Sequence, residues 1–207
     1  TYEVLFASCR TDEERWELLK RAIAYAGNTS YWRHNLVMYQ KLFGLDAPEL
    51  TDANWREVNE TIKAKTSDPG WYRYVTEDLC GLRTQIRNVP WYEDWEPEFF
   101  TCILRMEPAL KLLDAPTRTQ LEAHLNRSFH DLKALKKGLV AFTEEYNAKG
   151  NRGIKLAHAY QRTLASEDVP EEVAARVYDK ARRGAAITAQ EEKQFQDHII
   201  FFLGAMA

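Results

Sequence analysis

The five histidines are the side chains of this chain best suited to bind a metal ion or to carry a proton. A carboxylate-bridged metal site in a helical bundle needs Glu-x-x-His pairs on facing helices, and the sequence contains none. The zinc motif His-Glu-x-x-His is also absent. His124 and His130 lie six positions apart, which places them on different faces of one predicted helix. We therefore predict no metal site and no cofactor.

Glycine-rich loops that bind nucleotides are likewise absent. The sequence has neither Gly-x-x-x-x-Gly-Lys nor Gly-x-Gly-x-x-Gly, the patterns that place backbone amides around phosphate groups. It also lacks the Gly-x-Ser-x-Gly turn that exposes a nucleophilic serine. Nucleotide-dependent chemistry therefore finds no support in these motifs, and the sequence leans against an enzyme without excluding one.

An arginine and a histidine on a predicted long helix have a catalytic parallel. Arg118 precedes His124 by six positions, and Asn126-Arg127-Ser128-Phe129-His130 follows. This arrangement resembles the spaced arginine–histidine motif of HEPN-type helical ribonucleases. The resemblance implies that His124 and Arg118 would act on the 2′-hydroxyl and phosphate of RNA, usually across a dimer. The family commonly places arginine directly before Asn-x-x-x-His, where this chain has Leu125.

The same helix positions also fit an ordinary solvated surface. His124, Arg127 and Asp131 follow one another at spacings of three and four, on the face opposite the apolar stripe. Neighbouring charges at these spacings form ion pairs on exposed helix faces. We therefore keep Arg118 and His124 as a catalytic alternative without committing to it.

Basic residues are concentrated in the second half of a chain whose overall net charge is −3. Residues 1–114 carry 14 Lys and Arg against 19 Asp and Glu, whereas residues 115–207 carry 14 against 12. Packing of neighbouring helices would merge these cations into a phosphate-binding patch for nucleic acid within residues 118–183. Separate faces, each balanced by acids, are the alternative. The candidate binding cations are Arg127, Lys133, Lys136, Lys137, Arg176, Lys180, Arg182 and Arg183.

Two groups of apolar residues indicate a protein partner or a homo-oligomer. Trp91, Tyr92 and Trp95 lie in a predicted loop flanked by acids. Exposed aromatic side chains of this kind anchor partners, although these three could equally fold back onto the core. The run at 199–203 is apolar nearly all round, which indicates either a central buried helix or a subunit interface.

Composition is that of an ordinary globular protein. Of the 207 residues, 45% are hydrophobic and 29% are charged, which argues against wholesale disorder. Cys9, Cys80 and Cys102 lack metal-binding spacing, so we predict buried, reduced thiols. The apolar stretch at 4–7 is too short for a signal peptide, and no run is long enough to span a membrane. We expect a cytoplasmic protein without membrane contact.

Apolar periodicity predicts an all-α fold of about nine helices in an irregular bundle, with a short extended arm at the N-terminus. One long helix at about 116–146 forms the centre, because its apolar residues recur every three or four positions. Thr11 to Glu14 and Thr188 to Glu191 each match a capping box. A single domain over 1–207 is the simplest organisation, with a boundary near residue 115 as the alternative.

These observations favour a non-catalytic all-α interaction module that binds protein within a larger assembly, with nucleic acid as a further candidate partner. One alternative is a metal-independent, HEPN-like ribonuclease. Another is a pocket for an apolar ligand, lined by the predicted fourth and fifth helices at 72–86 and 97–113.

Overall fold

A computed structural model of the chain describes residues 2–207, with side chains from Val4 onward. The chain is mainly helical, with 59% helix and 6% strand, and the described residues form nine α-helices and a small parallel sheet. The helical majority is therefore as predicted, but the expectation of a purely all-α fold is wrong.

The chain divides into two compact units, Thr1–Leu82 and Arg83–Ala207. The single domain predicted over 1–207, and its alternative boundary near residue 115, stay predictions.

The first unit is a cluster of helices. Thr11 accepts a hydrogen bond from the Glu14 N–H and the Glu14 carboxylate accepts one from the Thr11 N–H, which confirms the predicted capping box. The extended N-terminal arm is wrong, because a helix occupies this segment and pairs backbone groups that a lone strand would leave unpaired. The helices are α1 (Tyr2–Ser8), α2 (Asp12–Ala26), α3 (Ser30–Leu42), α4 (Trp55–Thr66) and α5 (Trp71–Arg73), which continues as a π-helix (Tyr74–Leu79).

The second unit contains the parallel sheet, in the order β1-β2-β3. The strands are β1 (Gln85–Val89), β2 (Phe100–Arg105) and β3 (Ile154–Lys155). Cys102 and Leu104 of the central strand are fully buried. Strand β2 lies inside the predicted fifth helix and β1 begins inside the predicted fourth. Short apolar runs do not distinguish a buried strand from a helix by periodicity alone, which explains the error.

Helices and short 3-10 turns surround the sheet. They are the 3-10 helix Glu107–Lys111, α6 (Ala115–Leu125), α7 (Leu132–Ala148), the 3-10 helix His158–Tyr160, α8 (Glu171–Arg182) and α9 (Ala189–Met206). The predicted capping box at Thr188 and Glu191 is confirmed at the start of α9. The apolar run at 199–203 contributes Ile199 and Leu203, both fully buried, to the core.

The predicted long helix at 116–146 is two helices. Asn126 ends α6 in the left-handed conformation, at φ 49°. Asp131 begins α7 by accepting a hydrogen bond from the Ala134 N–H at 2.6 Å. The apolar positions stay in step across this break, so periodicity did not reveal it. The stripe is nevertheless core, with seven buried members, Leu121, Phe129, Leu132, Leu135, Leu139, Phe142 and Tyr146.

The cysteines are free thiols in three different environments. Cys102 is buried, and burial raises the pKa of its thiol to about 11. Cys9 is half-buried and Cys80 is exposed, so the prediction of buried thiols is wrong for these two.

Within residues 2–207, every helix falls short of the length and apolar character that a membrane crossing requires.

Candidate functional site

The three strands run parallel, so their carboxyl ends meet at one edge of the sheet. In α/β folds, ligands bind outside this edge. Strand β2 ends at Arg105 and the 3-10 helix from Glu107 to Lys111 follows, whereas β3 ends at Lys155 and the 3-10 helix that begins at His158 follows. We use the name carboxyl-edge site for Glu107, Lys111, His158, Arg162 and Lys193, the ionisable side chains of this region.

A backbone hydrogen bond joins the two segments that lead into these 3-10 helices. The Met106 N–H donates to the Lys155 carbonyl at 2.8 Å, one residue beyond the end of β2. Glu107 is the next residue after Met106, and His158 lies three positions after Lys155. The pairing of β2 with β3 therefore determines where the segments that carry Glu107 and His158 leave the sheet.

Glu107 and His158 are buried and incompletely paired. Glu107 is 7% exposed, and one of its carboxylate oxygens accepts from Arg105. Its Oε2 atom has no hydrogen-bond partner among the described residues. His158 is 9% exposed, and its Nδ1 atom also has no hydrogen-bond partner among the described residues. Because buried polar atoms are nearly always hydrogen-bonded, each of these atoms is a candidate for a ligand contact.

A cavity of about 400 Å³ lies against His158. Lys111 lines it from the 3-10 helix after β2, Arg162 from the segment after β3, and Lys193 from α9. Its one lining carboxylate is Glu192. The wall is therefore rich in cations, which suits an anionic ligand.

A buried carboxylate holds two of these cations in place. Asp197 is 1% exposed and accepts hydrogen bonds from Arg162, from Lys193 at 2.5 Å and from the Glu167 N–H at 3.2 Å. Burial raises the pKa of Asp197, but the bonds from Lys193, Arg162 and Glu167 outweigh it and hold the pKa below its usual value. Asp197 is therefore charged at neutral pH and neutralises part of the positive charge.

Lys111 differs from Arg162 and Lys193. It is exposed, and no carboxylate among the described residues pairs with it. It is therefore the cation of the cavity wall that is most available to a ligand.

Arg118 and His124 have separate partners. Arg118 is buried and donates to the carbonyls of Leu112 and Leu113, both at 3.2 Å. His124 Nε2 lies 2.8 Å from Glu145 Oε2. The geometry accounts for both side chains as parts of the packed structure, and the ribonuclease alternative stays a prediction.

The aromatic loop after β1 folds back onto the core. Trp91 and Trp95 are buried, and Tyr92 is 38% exposed. The Trp91 ring lies 4.8 Å from the Phe142 ring, and Trp95 stacks on Tyr146 at 5.9 Å. Burial removes Trp91 and Trp95 from the surface, which leaves Tyr92 as the accessible member of the three.

The predicted basic residues fall into separate groups. Arg176, Lys180 and Arg183 line one depression of about 530 Å³ beside α8, together with Asp179 and Glu191.

Lys136 pairs with Glu171 at 2.8 Å, and Arg182 donates to the carbonyl of His130. Arg127, Lys133 and Lys137 are exposed. The structure thus groups three of the eight cations around one depression.

Sequence reasoning missed the carboxyl-edge site. Its members come from three segments far apart in sequence, and no spacing motif links Glu107 to His158 or Lys193. The available signal was the apolar run at 102–104 followed by Arg105 and Glu107, which is typical of a buried strand with polar residues after its end. Among the described residues, no group of three or more His, Cys, Asp or Glu side chains is placed to hold a metal ion.

No protein-family model matches the chain, and curated protein sequences gave no match either. Its fold is similar to solved structures of two isomerases. A uronate isomerase from Thermotoga maritima aligns with 95% of this chain and 45% of its own, with a TM-score of 0.75 and 16% identity. A glucuronate isomerase from Caulobacter crescentus aligns with 95% of this chain and 43% of its own, with a TM-score of 0.77 and 13% identity. The likeness is one of fold, and the chain spans less than half the length of either structure.

Proposed function

We propose that this chain forms part of an isomerase for a sugar acid and that its carboxyl-edge site binds the acid. The observation that carries the proposal is the buried, unpaired Nδ1 atom of His158 beside a cavity with three lining cations. The likeness in fold to a uronate isomerase and a glucuronate isomerase supports the choice of substrate class.

Lys111 is the residue that receives the carboxylate of the acid. It is exposed at the cavity wall and has no ion-pair partner among the described residues, whereas Arg162 and Lys193 already bind Asp197. A hydrogen bond between an ammonium group and a carboxylate is roughly twice as strong as one between neutral groups. The fixed Arg162 and Lys193 add a positive field that favours the same orientation of the ligand.

His158 is the residue that moves a proton. An isomerisation that shifts hydrogen between adjacent carbon atoms needs a group that both accepts and donates a proton, and histidine does so near neutral pH. Its Nδ1 atom has no hydrogen-bond partner among the described residues, so we assign the proton transfer to this nitrogen. Burial at the sheet edge keeps competing water away.

Calorimetric titration of the full chain with D-glucuronate and with D-glucose tests the proposal. The two sugars differ in a carboxylate, so glucuronate is expected to bind at least about tenfold more tightly. Lys111→Ala is expected to reduce glucuronate affinity by about tenfold and to leave glucose unaffected.

Lys137→Ala is the matched control, because Lys137 is also exposed but lies on α7 away from the cavity lining. It is expected to bind glucuronate like the unmodified chain. Equal affinity for the two sugars, or equal losses in both lysine variants, would contradict the proposal.

The interaction module predicted from the sequence is a second proposal, and one surface favours it. In the first unit, Tyr25, Tyr31 and Val37 are 89%, 83% and 52% exposed on α2 and α3. Large exposed apolar side chains on a folded unit are candidates for contact with a partner. A pull-down scored for both protein and nucleic acid tests it, with Tyr31→Ser as the disrupting variant. Tyr160→Ser, at an equally exposed tyrosine of the second unit, is the control. Equal recovery with both variants would contradict this surface.

A further inference from the structure

A second cavity lies inside the first unit, among α1 to α4 and the segment before α4, and its walls are apolar. Its volume is about 150 Å³. The side chains that matter to its chemistry are Trp16, Leu19, Tyr39, Trp55, Val58 and Asn59. An apolar cavity of about this volume in another protein binds one benzene molecule, so the volume fits a single six-membered ring.

Two stacked tryptophans form one wall. The ring centroids of Trp16 and Trp55 are 5.6 Å apart with an interplanar angle of 9°. The Trp16 indole N–H is already satisfied, because it donates to Asp52 Oδ1 at 2.6 Å. What Trp16 offers the cavity is therefore ring surface. Burial raises the pKa of the Tyr39 phenol, in keeping with an environment from which water is largely excluded.

Charged side chains at the rim of the cavity pair with one another. The Asp12 carboxylate accepts from Lys63, from Asn59 and from Arg15. The hydrogen bond from Lys63, and then those from Asn59 and Arg15, outweigh partial burial and lower the pKa of Asp12 below its usual value. Since this carboxylate is charged and fully paired, the cavity does not need a cationic ligand.

Two polar atoms of the lining residues remain for a ligand, the Tyr39 hydroxyl and Asn59 Oδ1. The Asn59 side-chain amide donates its N–H groups to Asp12 at 3.0 Å and to Glu60 at 3.5 Å. This fixes the amide orientation and leaves Asn59 Oδ1 as an acceptor. An apolar cavity with so few polar atoms selects a molecule that is mostly apolar, and the fixed acceptor Asn59 Oδ1 selects one that carries a hydrogen-bond donor.

We propose that this cavity binds a single-ring aromatic molecule with one hydroxyl group, of the phenol class. The ring lies against Trp16, Trp55 and Val58, and the hydroxyl donates to Asn59 Oδ1. This site belongs to the first unit and does not depend on the sugar-acid proposal for the second. It is also distinct from the apolar pocket expected between 72–86 and 97–113, because no residue of those segments lines it.

Titration calorimetry of the full chain with phenol, benzene and 2-naphthol tests the proposal. Phenol is expected to bind with one site per chain. Benzene, which lacks the donor, is expected to bind about fivefold more weakly, the effect of one hydrogen bond of about 1 kcal/mol. The two-ring 2-naphthol exceeds the cavity and is expected to bind at least about tenfold more weakly than phenol.

Two neighbouring leucines on α2 provide a matched pair of variants. Leu19 lines the cavity and Leu18 does not, and both are half-buried. Leu19→Phe fills the space and is expected to abolish phenol binding, whereas Leu18→Phe keeps it. Asn59→Leu is expected to reduce phenol affinity to that of benzene. If the Leu19→Phe chain does not fold, the Asn59→Leu measurement tests the proposal in its place. The proposal is overturned if phenol does not bind, if 2-naphthol binds as tightly as phenol, or if a folded Leu19→Phe chain retains phenol affinity.

Discussion

His158 and His124 show how the partners of a side chain separate a candidate catalytic group from a structural one. His124 pairs with Glu145 and packs against the rings of Tyr92 and Phe142, so its Nε2 atom and its ring both have partners. His158 is buried with an unpaired Nδ1 atom. An unpaired buried polar atom costs about 1–3 kcal/mol, which a bound ligand would offset.

Replacing His158 by glutamine separates proton transfer from binding. Glutamine keeps a hydrogen-bonding side chain but cannot exchange a proton near neutral pH. We expect His158→Gln to bind glucuronate within about twofold of the unmodified chain, and to slow hydrogen–deuterium exchange at the carbon next to the sugar carbonyl by about a hundredfold or more. NMR in D₂O measures this exchange.

His130→Gln is the control, since His130 is exposed in the loop between α6 and α7. An exchange rate that is the same in both variants would show that His158 carries no proton.

Arg118 is expected to act in stability. Arg118→Met removes two hydrogen bonds to the carbonyls of Leu112 and Leu113, and should reduce the free energy of unfolding by about 2 kcal/mol. Arg127→Met, at an exposed position, should change it by less than about 0.5 kcal/mol. Urea unfolding measures both.

The ribonuclease alternative expects a different result at the same helix. RNA cleavage in EDTA that disappears in His124→Ala would support it, and an unchanged rate would remove it.

At the scale of elements, the packing of α7 depends on a glycine at a close approach. The Phe129 ring, which is 1% exposed, lies over Gly138 in α7. A Cβ atom built on Gly138 would lie 2.5 Å from Phe129 Cζ, far inside van der Waals contact. The loop between α6 and α7 is thus fixed onto α7 through this aromatic ring.

Two Gly→Ala substitutions should change the free energy of unfolding in opposite directions. Gly138→Ala is expected to destabilise the fold by about 1–3 kcal/mol, because the buried Phe129 ring has little room to move. Gly204→Ala lies in α9, where a Cβ atom meets nothing within 4 Å, and is expected to stabilise by up to about 1 kcal/mol. Thermal unfolding of the two variants checks this. A gain in stability from Gly138→Ala would contradict the packing described.

The start of α9 should make stability depend on acid pH. The hydrogen bond from Lys180, followed by those from the Thr188 N–H and hydroxyl, lowers the pKa of Glu191 from 4.5 to about 2. The Glu191 carboxylate therefore binds a proton less tightly in the folded state than in the unfolded state. The stabilisation is complete above pH 4.5 and is lost as the pH falls through about 2.

Urea unfolding of Glu191→Gln against the unmodified chain measures this contribution. The variant should be less stable at neutral pH, and the difference should disappear near pH 2. Glu144→Gln, at an exposed site on α7, is the control and should show no such dependence. A difference that persists at acid pH would contradict the assignment.

Local signals in the sequence predicted local structure well. The capping boxes at Thr11 and Thr188 depend on residues three positions apart, and both are present. The stripe from Leu121 to Tyr146 is core as expected, but Asn126 and Asp131 end one helix and begin another within it. Periodicity reports which side is buried, and it does not report a turn that preserves the spacing.

At the scale of the whole molecule, the carboxyl-edge site depends on how the strands of the sheet pair. The pairing of Met106 with Lys155 brings together segments about fifty positions apart, and α9 adds Lys193. No single stretch of sequence contains these residues, so a motif could not reveal them. The strands were also missed, and without parallel strands there was no shared edge at which to look for a site.

The likeness in fold to the isomerases extends over nearly all of this chain but over only part of theirs. It covers 95% of this chain but less than half of each isomerase structure, and it is one of fold. The central claim is therefore that the carboxyl-edge site itself binds a sugar acid.

The most direct test is an NMR titration of the histidine side chains with D-glucuronate. The five histidines lie in different settings, and of His34, His124, His130, His158 and His198, His158 is the one that lines the cavity against the sheet edge. The imidazole nitrogen resonances of His158 should shift in a saturable manner, while those of the other four stay within a small fraction of that change. No shift at His158 under saturating glucuronate, or an equal shift at all five, would contradict the account.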